Sequence, residues 1–325
     1  MLNKSRKNNK SYLYPLIKAN SHNKIKVSDI HTIYYAVYGN PRGIPLCVIH
    51  GGPGDRTLPK DVRYMNPKKY KIILVDQRGC GKSTPYGEIK DNKTEDLISD
   101  FEKIRNELNI KKWVLFGGSW GSTLALAYSY KHPECVSHIV IRGVYLATKD
   151  EEEWFDKNGG VNYIYPDYWD NFVENIPEKC QKTKRCVTNK YKKLIKNKRT
   201  RKNALSKWEL WEGGLNKLDT KPFNKIKKYT LNNKQIKSAM ICHKYLSNYC
   251  YFPRDNYLLE KRNVDKIKDI PVYIIQGRYD VICPPMFAYK LHKKLPKSKL
   301  IFTLGGHSTN DIENTKALVN VMNKL

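Results

Sequence analysis

Short apolar runs separated by helical periods organise the first half of this chain. Ile33 to Val37, Leu46-Cys47-Val48-Ile49 and Ile72-Ile73-Leu74-Val75 each have the length and composition of a buried strand. A helix is predicted from Glu95 to Leu108, a strand at Trp113 to Phe116, and a helix from Ser122 to Tyr130 that stops before His132-Pro133. A strand at Ile139-Val140-Ile141 follows. The alternation returns late, with Val272-Tyr273-Ile274-Ile275, a helix from Pro285 to Lys294, Leu300-Ile301-Phe302 and a closing helix. Short apolar strands interleaved with helices predict an α/β fold, a mostly parallel sheet with helices on both faces.

Between about Tyr145 and Pro253 the pattern changes. Strand-like runs disappear, Trp, Tyr and charge increase, and helical periods dominate. The predicted organisation is a basic disordered tail at 1–12, a core at 13–144 and 254–325, and a helical cap at 145–253 inserted between the two halves of the core. No internal repeat is present.

The length, 325 residues, suits one large core with an inserted subdomain, and a hydrophobic content of 40% suits a soluble globular protein. No apolar stretch approaches the roughly 20 residues that span a bilayer. Met1 to Ser21 is basic and polar, without the apolar core of a secretory signal, so a cytoplasmic location away from membranes is expected. The net charge of +29 invites a nucleic-acid reading. Lys and Asn are spread along the whole chain, however, which is not the pattern of a built patch. The densest stretch, Lys182 to Lys202, holds eleven Lys or Arg and no acid. It could meet an anionic surface, but Tyr191, Leu194 and Ile195 give it the narrow apolar stripe of a solvated helix. Zinc-finger spacing and RNA-binding aromatic motifs are both missing, so nucleic acid is not an expected partner. The eight cysteines form no C-x-x-C pair and no Cys/His metal spacing, so no metal or other cofactor is expected. Reduced thiols are the default, and Cys180 and Cys186 are the pair placed to bridge.

Chemistry concentrates at Gly117-Gly118-Ser119-Trp120-Gly121, which fits the G-x-S-x-G pattern of a serine on a tight strand-to-helix turn. The flanking glycines leave room where strand and helix approach. An activated serine needs a base, an orienting acid and an oxyanion hole. Downstream, Gly277-Arg278-Tyr279-Asp280 and Gly305-Gly306-His307-Ser308 each follow a predicted strand, at the carboxyl edge where open α/β sheets build sites. Asp280 and His307 are therefore the expected acid and base for Ser119. Upstream, His50-Gly51-Gly52-Pro53-Gly54 also follows a strand, and Gly52 with the Trp120 amide are the expected oxyanion donors. Gly81-Lys82-Ser83 looks like the end of a phosphate-binding loop, but Asp76 stands where that motif needs its first glycine. Asp76 to Gly81 is expected to shape the floor of the site.

With these segments in order, the chain resembles the proline iminopeptidase family of α/β-hydrolases over nearly its whole length. The motifs above carry the resemblance, with Ser122-Thr123-Leu124-Ala125, Pro166-Asp167-Tyr168-Trp169 and Trp208-Glu209-Leu210-Trp211-Glu212-Gly213. It implies a metal-free serine exopeptidase that releases an N-terminal proline through Ser119, Asp280 and His307. It also implies a substrate pocket in the cap. One of the family's two ammonium-binding glutamates matches Glu212, with Arg142 as its neighbour, and the second falls on Cys242. Of the aromatic positions around the proline ring, Tyr145 is kept, while the others are Asp156 and Leu246. The partner is thus a peptide or a small amide or ester. A related esterase or amidase with an altered pocket, and an idle scaffold whose basic cap binds anions, stand as the alternatives. Oligomeric state is not readable.

Overall fold

The computed structural model describes residues 12–226 and 229–325, so the expected tail, Tyr12 apart, lies outside the described residues. A single sheet is built from β1 (Ser21–Lys26), β2 (Thr32–Gly39), β3 (Ile44–Ile49), β4 (Tyr70–Asp76), β5 (Trp113–Ser119), β6 (Val136–Val144), β7 (Val272–Gly277) and β8 (Ser298–Thr303). Their spatial order is β1-β2-β4-β3-β5-β6-β7-β8. β2 runs antiparallel to β1 and β4, and every pair from β4 to β8 is parallel. β1 was not among the expected strands. Its sequence, Ser-His-Asn-Lys-Ile-Lys, has one apolar residue because it is an edge strand, half-buried and exposed by turns.

The described α-helices are α1 (Thr94–Glu107), α2 (Trp120–Lys131), α3 (Lys149–Asp156), α4 (Pro166–Val173), α5 (Lys184–Lys196), α6 (Arg201–Gly214), α7 (Asn233–Leu246), α8 (Lys261–Val264), α9 (Pro285–Lys294) and α10 (Ile312–Lys324). Along β3, Cys47 and Ile49 face one apolar cluster with residues of α1, α2 and α9, while Leu46 and Val48 face another with residues of α10. That division follows from the two-residue period of a strand. It explains why the central strands read as continuous apolar runs: both faces are covered. Among the described residues, no helix is long and apolar enough to cross a membrane.

Helices α3 to α7 lie in sequence between β6 and β7 and build a third, aromatic cluster. Phe172 stacks on Tyr191 at 4.8 Å between ring centroids and on Trp211 at 5.4 Å, and Trp208 meets Tyr191 edge-on at 5.1 Å. The basic stretch supplies α5, which buries Tyr191 and Ile195 of the expected stripe together with Val187 and leaves Leu194 half-buried. It also buries Lys184, which the reading as a solvated face did not anticipate. Cys180 and Cys186 are disulfide-bonded, contrary to the default of reduced thiols, and the other six cysteines are free and buried.

Candidate active site

β5 ends on Ser119 and α2 begins on Trp120, so the serine occupies the turn itself. Its backbone sits at φ 56° and ψ −130°, a conformation that costs a residue with a Cβ energy and must be held by its surroundings. Close packing provides the hold. A Cβ on Gly117 would come within 2.3 Å of the Gly121 carbonyl oxygen, and one on Gly121 within 2.3 Å of that of Ile49. The Ser122 hydroxyl donates to the Ser119 carbonyl (2.6 Å) and accepts from the Tyr145 amide (3.1 Å). The first turn of α2 is thereby tied to the end of β6.

Asp280 and His307 follow β7 and β8, and the topology brings them together. His307 Nδ1 lies 2.8 Å from Asp280 Oδ2, and both residues are buried. The carboxylate also accepts from the amides of Ile282 (3.1 Å) and Cys283 (2.8 Å) and from Gln276 Nε2 (3.1 Å). Four donors hold it in one orientation. Because Nδ1 is committed to Asp280, Nε2 is the ring nitrogen left for the serine. The His307 loop is anchored from behind by the buried Asn314, whose Nδ2 donates to the carbonyls of Gly306 (3.0 Å) and Ser308 (2.8 Å). Arg142 lies beneath Gly118 and donates to the His307 carbonyl. Arg142 and Glu212 line the same wide cavity, with no ion pair between them among the described residues. Gly143, at φ 50°, passes so close that a Cβ there would lie 3.0 Å from the imidazole.

The His50 to Gly54 loop is locked to the same turn. Gln77 Nε2 donates to the His50 carbonyl (2.9 Å), Gln77 N donates to His50 Nε2 (3.1 Å), and the Trp120 indole donates to Gln77 Oε1 (2.9 Å). Gly52, at φ 109°, lines both cavities that open at Ser119. Asp76 lines neither. It is buried below, accepting from Thr57 N (2.9 Å), Thr57 Oγ1 (2.7 Å) and Lys82 N (2.8 Å), with the glycine at 81 leaving room for its carboxylate.

Of the two cavities, the wider has a volume of about 650 Å³ and takes in Ser119, His307, Arg142, Glu209, Glu212 and Cys242. The narrower, of about 50 Å³, runs from Ser119 between α3, α5 and α6 and is walled by Tyr145, Phe155, Leu246 and Ile282. At its charged end stand Glu152, Asp156, Lys184 and Glu212. The expected pocket residues are therefore divided: Tyr145, Asp156, Leu246 and Glu212 line the narrow cavity, whereas Cys242 and Arg142 line only the wide one.

Sequence reasoning missed Glu152, Lys184, Glu209 and Gln276. Lys184 pairs with Glu152, each side chain about 5% exposed or less. The Tyr145 hydroxyl donates to the same carboxylate at 3.0 Å. Burial opposes the charge on Lys184, but Glu152 and Asp156 outweigh it and the pKa is raised. Burial pushes Glu152 up to about 7 against the pull of Lys184, and Asp156 up to about 6 against the same lysine. Burial, then the neighbouring Asp156, drives Glu212 well above the usual carboxylate range. Glu209, in the wide cavity, is pushed by burial to about 7. The Cys242 thiol is raised well above its ordinary value by burial, then by Glu212, and stays neutral.

Comparison with known proteins places this geometry in context. A family model described as the alpha/beta hydrolase fold matches residues 44–313. The chain is 41% identical over 314 residues to a protein from Leptolyngbya boryana named "Probable proline iminopeptidase", covering 96% of both chains. It is 42% identical to a "Proline iminopeptidase" of Arabidopsis thaliana, covering 93% of this chain and 79% of that one. The "Proline iminopeptidase" of Neisseria gonorrhoeae is 37% identical, with 91% and 93% covered. Among solved structures, a bromoperoxidase from Bacillus anthracis matches with a TM-score of 0.61 at 18% identity, covering 94% of this chain and all of that one, a likeness of fold alone.

Proposed function

Because the chain belongs to the proline iminopeptidase family of α/β-hydrolases, we propose that Ser119, His307 and Asp280 are the catalytic triad of an aminopeptidase that releases the N-terminal residue of a peptide, proline among its substrates. The observation that carries this reading is the buried Asp280–His307 contact, with the serine and the imidazole opening onto one cavity. His307 Nε2 takes the Ser119 proton as Oγ attacks the carbonyl carbon of the first residue. The amides of Gly52 and Trp120 receive the developing oxyanion, each worth about 3 kcal/mol in the transition state. Collapse of the tetrahedral intermediate breaks the C–N bond, and the leaving amine departs with the proton from His307. Water, deprotonated by His307, then attacks the acyl-enzyme, frees the amino acid and restores Ser119.

Exopeptidase selection follows from the shape beside the serine. The narrow cavity branches off beside the serine and ends among the carboxylates of Glu152, Asp156 and Glu212, which suits a free terminal nitrogen, while the rest of the peptide leaves through the wide cavity. The segment 145–253 is the cap that closes this pocket. We also propose that the protein is cytoplasmic. The test is hydrolysis of prolyl-, alanyl- and leucyl-naphthylamides and a short p-nitrophenyl ester by the native chain and Ser119→Ala. Ser119-dependent release from the naphthylamides is expected. Ester cleavage alone would replace this reading with an esterase.

A further inference from the structure

We infer that Asp156 and Glu212, from α3 and α6, together bind the terminal ammonium of the substrate, a place that Cys242 does not fill. The inference deepens the aminopeptidase reading and rests on it. Position 242 is where the family resemblance calls for the second glutamate. Here it carries a buried, neutral thiol that lines only the wide cavity. A carboxylate must come from elsewhere, or the ammonium is held by Glu212 alone.

The acids around the narrow cavity are not equivalent. Glu151 is occupied by the amides of Leu146 (3.0 Å) and Thr148 (2.9 Å) and by the Thr148 hydroxyl (2.9 Å). Glu152 is occupied by Lys184 and Tyr145. Two carboxylates remain. Asp156 is 3% exposed and its Oδ1 has no hydrogen-bond partner, the Trp211 indole and the Lys184 ammonium, already paired with Glu152, being its polar neighbours. Glu212 makes no hydrogen bond or ion pair among the described residues. An unpartnered buried carboxylate is costly, and a bound cation removes that cost. The helices that carry them are in contact, the rings of Phe155 and Trp211 meeting tilted at 5.1 Å between centroids, and the Asp156 charge acts on Glu212. Both line the cavity that begins at Ser119.

Two carboxylates facing one cavity do not both ionise readily. Burial, then the neighbouring Asp156, pushes Glu212 well above the usual carboxylate range, so the pair favours one negative charge over two. One negative charge shared by two acceptor groups matches one ammonium. Asp156 stands where the family resemblance calls for an aromatic wall, so charge replaces ring contact in recognition. The ligand class is a small α-amino acid unit with a free, protonated nitrogen.

The experiment is calorimetric titration of prolinamide and alaninamide into the full-length Ser119→Ala protein, alone and combined with Asp156→Asn, Asp156→Glu or Cys242→Ser. Asp156→Asn is expected to weaken both ligands tenfold or more, Asp156→Glu to recover most of that loss, and Cys242→Ser to change binding less than twofold. In otherwise native chains, Asp156→Asn should lower kcat/KM for prolyl-naphthylamide at least tenfold more than for p-nitrophenyl acetate, chiefly through KM. Equal losses on both substrates would mark Asp156 as merely structural and overturn the inference. So would undiminished binding in Asp156→Asn, or no binding to Ser119→Ala. Ser119-dependent peptidase activity untouched by Asp156→Asn would sink the inference and leave the aminopeptidase standing. Absence of that activity would sink the aminopeptidase itself.

Discussion

The edge of the sheet and the helical pocket above it are built on opposite principles. At the edge, the groups that orient the reactive ones are partnered: four donors surround the Asp280 carboxylate, and a Gln77–His50–Trp120 network locks the glycine loop. In the pocket, Glu152, Asp156 and Lys184 are buried together beside a half-buried Glu212, and Asp156 Oδ1 is left without a hydrogen-bond partner. Satisfied groups hold a geometry in advance of the reaction, which is what transition-state stabilisation needs. Unsatisfied groups wait for a ligand, which is what selective binding needs. The difference separates chemistry from recognition within one cavity system.

The largest expected effect tests the first half of that contrast. Ser119→Ala should lower kcat roughly 10⁴-fold or more on every substrate, amine or ester, with KM little changed, because it removes the bond-forming atom and leaves the pocket intact. Steady-state kinetics on both substrate types checks it, and a loss confined to one type would mean that Ser119 is not the common nucleophile.

The two regions also differ in how far the sequence revealed them. Ser119, Asp280 and His307 were legible because each follows a short apolar strand and sits among glycines that tight turns require. The glycine positions proved to be close approaches of backbone, as at Gly117 and Gly121. Lys184 was not legible. It is one of eleven cations in its stretch, and only the packing of α5 against α3 and α6 singles it out. Glu152 hides in a run of three glutamates for the same reason. Glu151 did carry a signal, the Thr148-x-x-Glu151 capping box, realised as a reciprocal pair of hydrogen bonds. Gln276 and Asn314, which orient Asp280 and the His307 loop, have no local signature, because their partners lie four to eight residues away across irregular turns that no sequence motif marks.

The pocket's own construction is tested next. Lys184→Met leaves Glu152 buried with only the Tyr145 hydroxyl, and losing one partner of a pair this enclosed costs about 3–5 kcal/mol. Denaturant unfolding should show that loss, and adding Glu152→Gln should return most of it. A single variant as stable as the native chain would mean that the pair contributes nothing. A smaller effect is expected at the bridge that closes residues 180–186, the turn that delivers Lys184. Cys186→Ser should cost about 2 kcal/mol through the freed unfolded chain, read as a lower melting temperature that reductant no longer changes. An unaltered melt would show that packing alone sets the turn.

The smallest effect sharpens the division between recognition and chemistry, because it appears only as a ratio. Burial raises Asp156 to about 6, against the opposing pull of Lys184, with Glu152 and Glu212 facing the same cavity. A carboxylate raised in this way is charged above about pH 6 and neutral below it, so ammonium binding should weaken as pH falls through that value. The substrate nitrogen, with a pKa of about 8, stays protonated throughout. The ratio of kcat/KM for prolyl-naphthylamide to that for p-nitrophenyl acetate should therefore fall about tenfold between pH 7 and pH 5. Whatever both substrates share at Ser119 and His307 cancels in the ratio. Asp156→Asn should flatten the curve at its low end. A ratio independent of pH in the native chain would show that Asp156 does not supply the charge, and would return the ammonium to Glu212 alone.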